Sequence, residues 1–577
     1  MPAPVHYRLT TPHPERHVFV LELTLESDVD TLHFSLPDWV PGSYMIRDYA
    51  RHIVAIDAYV DGEAVALEKR GKSRWQLSAA RGSVRLVYHV YALDHSVRGA
   101  YLDTSGWFCQ GVCVFLRCEE AAEQLHRVVV ESELTSGDQS LVTTLPADTE
   151  ADRAAACYLA ESYGELIDHP IMAGSLQSHR FDVFGVPHEV VVAGRCELDA
   201  ERLLADIAAI CETHVRCFGE PPPMQRYVFM LRVGGERSGG LEHRDSCVLA
   251  VPRRNLSRGA ARDAYIDFLS LVSHEYFHAW LVKRIRPAAL ARATLHSEVH
   301  TRSLWVFEGI TSYYDELGLL RAGVIEPSEY LKRLAATLSR VQRGVGRLRQ
   351  SLEDASYDTW TRFYKQDENA PNAIVSYYTK GALVALALDL VLRQRSQGRL
   401  SLDTVMRVMW QRHGDGVPVP ETGFEELVAE LVGEDLAPFF DQAVRSCEDL
   451  PMDQYLAAQG VSMKWESGDG APAWLGCTYS ATGNRVAVVY EGSPAQQAGL
   501  TPGDEVLAWQ GVRFVAANES AYRRSAMDGD LVSLAVFRND ELIECEVTLA
   551  PPSQSVCVLD SKPGFESTRD QWLYSRA

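Results

Sequence analysis

AYIDFLSLVSHEYFHAWLV, residues 264–282, reads as one apolar-periodic helix carrying two histidines four positions apart. Positions i and i+4 share a helix face, so His274 and His278 can both reach a single ion. Glu275 then falls beside that ion without being one of its ligands. Zinc lowers the pKa of a coordinated water to about 7, and a neighbouring carboxylate can take its proton. The HExxH pattern in this apolar helical setting predicts a metal centre with Glu275 as its base.

A catalytic zinc takes a third protein ligand and keeps a fourth position open. Two glutamates compete for that role. Glu298 lies twenty residues past His278, in the polar, loop-like stretch LHSEVHTR (295–302). Glu308 lies thirty past, in the aromatic-rich segment LWVFEGITSYY (304–314), which reads as a helix. A rigid element suits a ligand better than a loop, so Glu308 is favoured. Two His and one carboxylate suit one Zn2+ ion best.

The flanking sequence predicts several domains. The chain has 577 residues, more than one core usually organises. Alternating apolar positions in 18–25 and 84–91, with further candidates at 127–134 and 188–193, predict a β-rich N-terminal domain over 1–194. The period then changes. Helices are expected near 198–217, 261–286, 303–322, 326–350, 378–396 and 402–413, with a small sheet from 226–251, giving a mainly helical domain over 195–465. After the break ESGDGAPA (466–473), short strands with Gly-, Pro- and Asp-rich turns mark a third domain, 466–550. Residues 551–577 read as a polar tail containing Trp572 and Leu573.

Composition bounds the function class. The chain is 46% hydrophobic and 23% charged, as a globular protein is. With 56 Lys and Arg against 78 Asp and Glu, the net charge is −22. That balance disfavours nucleic acid and anionic membranes as partners. No apolar run reaches the length of a membrane span. The start MPAPVHYRLT lacks the pattern of a secretory signal, and the twelve scattered cysteines form no framework, so a cytoplasmic location is expected.

Several motifs together resemble a known family. HEYFH, WVFEGITSYY and SYYTKGA (376–382) resemble the gluzincin aminopeptidases. LPDWVPGSYMIRDYARHI (36–53), GGLEHRDS (239–246) and LVKRIRP (281–287) are similar to the M61 glycyl aminopeptidase family in particular. The resemblance implies a multidomain α+β protein with a β-rich N-terminal domain, a thermolysin-like catalytic domain and a C-terminal PDZ domain. It also implies removal of small N-terminal residues, glycine and alanine above all. GGLEH stands where related enzymes have Gly-x-Met-Glu-Asn, which implies that Gly240 and Glu242 contact the substrate, Glu242 holding its free α-amine. Charge-assisted pairing of carboxylate and ammonium agrees with that role. His243 departs from the Asn of the larger relatives. Tyr378-Thr379-Lys380-Gly381 matches their Tyr-x-Lys-Gly, which implies that Tyr378 donates to the oxyanion; its neighbour Tyr377 is the alternative. Arg47, Asp48, Lys283, Arg284 and Arg286 have sufficient explanations as turn or helix-end charges.

SPAxxAGLxPGDxVL within 491–511 resembles a PDZ domain, and LGCTY (475–479) stands where such domains receive a peptide C-terminus by strand addition. Three functions therefore compete: a zinc aminopeptidase acting on peptides with a free N-terminus, a zinc endopeptidase, and a PDZ-led binding protein with a vestigial site.

Overall fold

The computed structural model describes residues 4–135, 139–149, 156–467, 473–481 and 483–574. The chain forms two compact units, residues 1–299 with 409–418, and residues 300–408 with 419–577.

The first unit opens with β structure. A seven-stranded sheet and two four-stranded sheets are built from strands between Val5 and Gly174. The expected strands at 18–25, 84–91 and 127–134 are found as Val18–Ser27, Gly82–Tyr91 and His126–Glu131. Val18–Ser27 alternates buried and half-buried over most of its length: Phe19, Leu21, Leu23 and Leu25 enter the core. This is the side-chain alternation of a sheet with one covered face.

A separate five-stranded mixed sheet follows. Its order is Leu176–Val183, Val186–Ala193, Tyr227–Val233, Ser246–Val251 and, at the edge, Gly239–Glu242. Residues 176–193, which sequence alone attaches to the preceding β domain, thus pair with the strands near 230 and 250. The helices Ala200–Phe218 and Arg262–Phe277 belong to the same unit. Val190, Val191 and Val192 are all buried, as are Val228 through Leu231. Strands in a sheet covered on both faces read as continuous apolar runs rather than alternations.

The second unit is largely helical up to residue 457. It contains Ile310–Arg321, Pro327–Arg343 and Thr379–Ser396, near the expected positions. Thr379–Ser396 is buried around nearly its whole circumference. Further on, a four-stranded sheet and a two-stranded ribbon, between Cys477 and Thr548, enclose a small core around Leu475, Val506 and Leu534. The linker expected at 466–473 falls mostly outside the described residues.

The C-terminal segment differs from the polar tail expected. Gln554–Ser561 pairs with Val461–Ser467, and Glu566–Tyr574 is a helix. Trp572 and Leu573 are fully buried. The Trp572 indole donates to Tyr313 Oη at 3.1 Å, and Arg393 donates to the Gln571 carbonyl at 2.7 Å. Trp572 and Leu573 anchor the helix, and the strand is held by buried Cys557, whose N–H donates to Ser339 Oγ at 2.8 Å. No described helix is long and apolar enough to cross a membrane.

Candidate metal and peptide site

The helix Arg262–Phe277 buries Tyr265, Ile266, Phe268, Leu269, Val272, Tyr276 and Phe277. It is shorter than the 261–286 expected. After His278 the chain turns, with Val282 in the left-handed region at φ +84°. Buried Arg284 provides the reason. Its guanidinium donates to the carbonyls of Ala279 at 2.8 Å, Arg244 at 2.7 Å and Pro223 at 3.1 Å, and pairs with Asp245 at 2.8 Å. One cation thereby takes up the Ala279 carbonyl just past the helix end together with two carbonyls from other segments. Lys283 pairs with Asp168 at 2.5 Å. Burial works against ionisation there, yet Lys283 and His243 hold the Asp168 carboxyl far below its usual range.

His278 donates from Nδ1 to the Leu281 carbonyl at 3.0 Å, which leaves Nε2 as the acceptor nitrogen. Among the described residues, one group of possible metal ligands is formed by His274, His278 and Glu308, whose ligand atoms all lie within 4.8 Å of one another. Two imidazoles and one carboxylate at this spacing fit a zinc-type ion with a position left open. Glu298 is exposed, in a loop.

Glu308, 2% exposed, sits in a π-helical turn, Trp305–Gly309, that runs into the helix Ile310–Arg321. Single π turns re-aim a side chain inside an otherwise regular helix. This turn crosses the start of the helix Thr379–Ser396 at a contact between glycines. A Cβ on Gly309 would stand 2.6 Å from Gly381 Cα and 2.9 Å from the Tyr377 carbonyl. The two glycines let Glu308 and the Tyr377–Tyr378 pair come close. Tyr377 is fully buried with its hydroxyl on Thr359 at 2.8 Å, and burial, with Tyr364 and Glu308 adding to it, pushes its phenol well above the usual range. Tyr378 is half-buried, its hydroxyl 3.4 Å from that of Tyr364. Tyr364 was not singled out in the sequence, because nothing in its neighbourhood distinguishes it from a packing aromatic.

Gly239–Glu242 is the edge strand of the five-stranded sheet, with Glu242 opposite Cys247. A Cβ on Gly240 would overlap the carboxylate of Glu275, so the backbone of this strand lies directly against that side chain. Arg98 donates to the Gly240 carbonyl at 3.2 Å. Glu242 is 4% exposed, and its Oε1 accepts no hydrogen bond among the described residues. Gly42, from the WVPGSY segment, has φ +92°, and a Cβ there would collide with the same carboxylate. The N-terminal motif therefore reaches Glu242 through a backbone, not through Arg47 or Asp48. Arg47 donates to Ser43 at 2.7 Å and Asp48 pairs with Lys72 at 2.6 Å. A cavity of about 500 Å³, lined by Trp39, Gly42, Tyr44, Glu242, Lys283 and Arg286, opens beside Glu242.

An HExxH helix behind a mixed sheet with an edge strand alongside, followed by a helical bundle, defines the metallo-aminopeptidase class. The chain belongs to the M61 glycyl aminopeptidase family: its family model matches residues 267–384, and that of the peptidase M61 N-terminal domain matches residues 6–175. An aminopeptidase N family protein from Idiomarina loihiensis is 35% identical, with a TM-score of 0.95 over 99% of this chain and 100% of that one. A point mutant of the M1 zinc metallopeptidase from Deinococcus radiodurans shares the fold at 15% identity and a TM-score of 0.50, over 78% of this chain and 94% of that one. No curated protein sequence matches the chain.

Proposed function

We propose that the protein is a zinc-dependent aminopeptidase that releases small N-terminal residues, glycine and alanine in preference, from peptides. The observation that carries the aminopeptidase reading is Glu242: a buried carboxylate oxygen with no hydrogen-bond donor among the described residues, on an edge strand pressed against Glu275. Leaving a carboxylate in that condition costs free energy that an incoming ammonium offsets.

His274, His278 and Glu308 would hold the ion. When bound, zinc supplies Lewis acidity toward a carbonyl and toward water. Glu275 takes the proton of the attacking water and passes it to the leaving amine. The Tyr378 phenol donates to the developing oxyanion; its partial exposure favours it over Tyr377, whose hydroxyl is engaged by Thr359. Glu242 accepts from the α-ammonium, and Gly240 lines the approach. Gly42 crowds one side of Glu242, in keeping with a small first residue, whereas the cavity beside it has room for more. Residues 466–550 are read as a PDZ domain on their small core and the outer edge of Cys477–Tyr479, which has no strand paired to it among the described residues.

Two measurements test this reading. Glycyl, alanyl, leucyl and glutamyl anilides are compared with their N-acetylated forms. The aminopeptidase is inert toward acetylated substrates, whereas an endopeptidase cleaves them and a vestigial site cleaves neither. Zinc content is then compared in Glu308→Ala and Glu298→Ala. Loss in the first and retention in the second is the expected result, and the opposite pattern transfers the ligand role to Glu298.

A further inference from the structure

The segment leading into Tyr377 and Tyr378 has no long regular element of its own. It consists of a four-residue helix, Ala370–Ala373, and an extended stretch, Ile374–Ser376. Arg362 donates to its Ala373 carbonyl at 3.1 Å, and its link to the C-terminal part of the unit runs through Asn372, which is 5% exposed. The Asn372 side-chain amide donates to the Val489 carbonyl at 2.9 Å and accepts from the Glu491 N–H at 3.0 Å. It also donates to Asn369 Oδ1 at 3.1 Å. Residues 489 and 491 belong to the C-terminal β-module, at the end of the strand Val486–Val489. Both polar ends of one side chain thus engage the module backbone, much as an extra strand residue would.

The same segment is gripped from a second side. Arg349 donates to the Asn372 carbonyl at 3.3 Å and pairs with Glu491, closing a ring through the module. Gln350, 3% exposed, accepts from the Val375 N–H at 3.1 Å. Gly346 lies so close to Ile374 that a Cβ there would overlap its carbonyl. Beyond Ser376, which accepts from the Lys380 N–H at 2.9 Å, the chain enters the helix with Tyr378 at its N-cap.

We infer that Asn372 is a positioning residue for Tyr378, and that the C-terminal β-module is a working part of the catalytic unit through the contact of Val489 and Glu491 with Asn372. The inference rests on the proposed role of Tyr378. Tyr378 lies six positions after Asn372, and the backbone of this stretch is held by hydrogen bonds at 372, 373 and 375 and packed against Gly346 at 374. Releasing the Asn372 side chain from Val489 and Glu491 loosens the start of the segment while the metal ligands, on other elements, stay in place. A displacement of about 1 Å at a reacting group costs up to about a hundredfold in rate.

The test uses the full chain loaded with zinc and a glycyl anilide. Asn372→Ala is expected to lower kcat about tenfold, leaving KM within about twofold and zinc content unchanged. Arg349→Ala, which loosens the outer tether without opening the core, is expected to shift kcat in the same direction by less. Each is combined with Tyr378→Phe. If Asn372 acts through Tyr378, the double variant is no slower than Tyr378→Phe alone. Additive losses, or a lowered Tm with unchanged kcat in both tether variants, overturn the positioning role and leave the Tyr378 assignment standing. Wild-type kcat in Tyr378→Phe overturns both.

Discussion

Two segments supply the candidate chemistry in different ways. Arg262–Phe277 is a regular helix whose periodicity places His274 and His278 on one face and buries the opposite one. Ala370–Tyr378 is irregular, and contacts from residues 344–350 and 489–491 set its course. The first is specified locally, because helix geometry fixes the angle between i and i+4 wherever the helix lies. The second is specified by residues 23 or more positions away, those at 489–491 lying more than a hundred positions along the chain. Changes inside the helix should therefore act on metal and base directly, whereas the tyrosine segment should respond to changes far along the chain.

The largest effect is expected from within the helix. Glu275→Gln should retain zinc and lose about 10²–10⁴-fold in kcat, the usual contribution of a general base. Metal analysis with steady-state kinetics on a glycyl anilide checks this, and near-normal turnover would remove Glu275 from the mechanism. Next comes a distant change behind the tyrosine helix. Trp572→Ala deletes a fully buried indole that donates to Tyr313, which itself donates to Asp389 of Thr379–Ser396 at 2.8 Å. A loss of about 3–5 kcal/mol is expected, read as a lowered Tm by calorimetry. Unchanged thermal unfolding would show that the C-terminal helix is dispensable.

Glu242→Gln keeps the shape and removes the charge. A hydrogen bond to a charged group contributes about 1.5–3 kcal/mol, so kcat/KM on free-amine substrates should fall about 10- to 100-fold with zinc intact. An unchanged ratio would assign amine recognition elsewhere.

The smallest effect concerns pH and the support of the metal helix. His188 lies in the sheet strand Val186–Ala193, donates from Nδ1 to the Val186 carbonyl at 2.9 Å, accepts at Nε2 from the Tyr276 hydroxyl at 2.9 Å, and is pushed down to about 4 by burial. The unfolded chain therefore binds more protons than the folded one between about pH 6.5 and 4, and stability falls as the pH is lowered through that window. His188→Gln should flatten that part of the wild-type acid-unfolding curve while leaving the other titrations. Parallel curves for the two proteins would exclude the contribution.

Much of the architecture was legible. The period of two in 18–25 and 84–91 and the apolar helical runs are direct consequences of side-chain geometry, and they locate elements to within a few residues. The end of the HExxH helix was not legible, because Arg284 terminates it by gathering carbonyls from Arg244, Pro223 and Ala279, a long-range arrangement with no local pattern. The C-terminal strand and helix were hidden for a similar reason: the strand's apolar run is only four residues long (556–559) and pairs with a strand ninety and more positions earlier, and the helix buries only Trp572 and Leu573. For the site, GGLEH and Tyr378 came from resemblance, while the closeness of Gly42 to Glu242 and of Gly309 to Gly381 appeared only in space.

The sequence by itself determined the spacing of His274, Glu275 and His278, because a helix converts sequence separation into a fixed direction. It also narrowed the third ligand to two glutamates. Only the tertiary structure buried Glu308 while leaving Glu298 exposed, enclosed Glu242 under a glycine from residue 42, and tied Asn372, six positions before Tyr378, to the module at 489–491. Those features depend on which distant backbones approach within van der Waals contact, and local propensity carries no information about that.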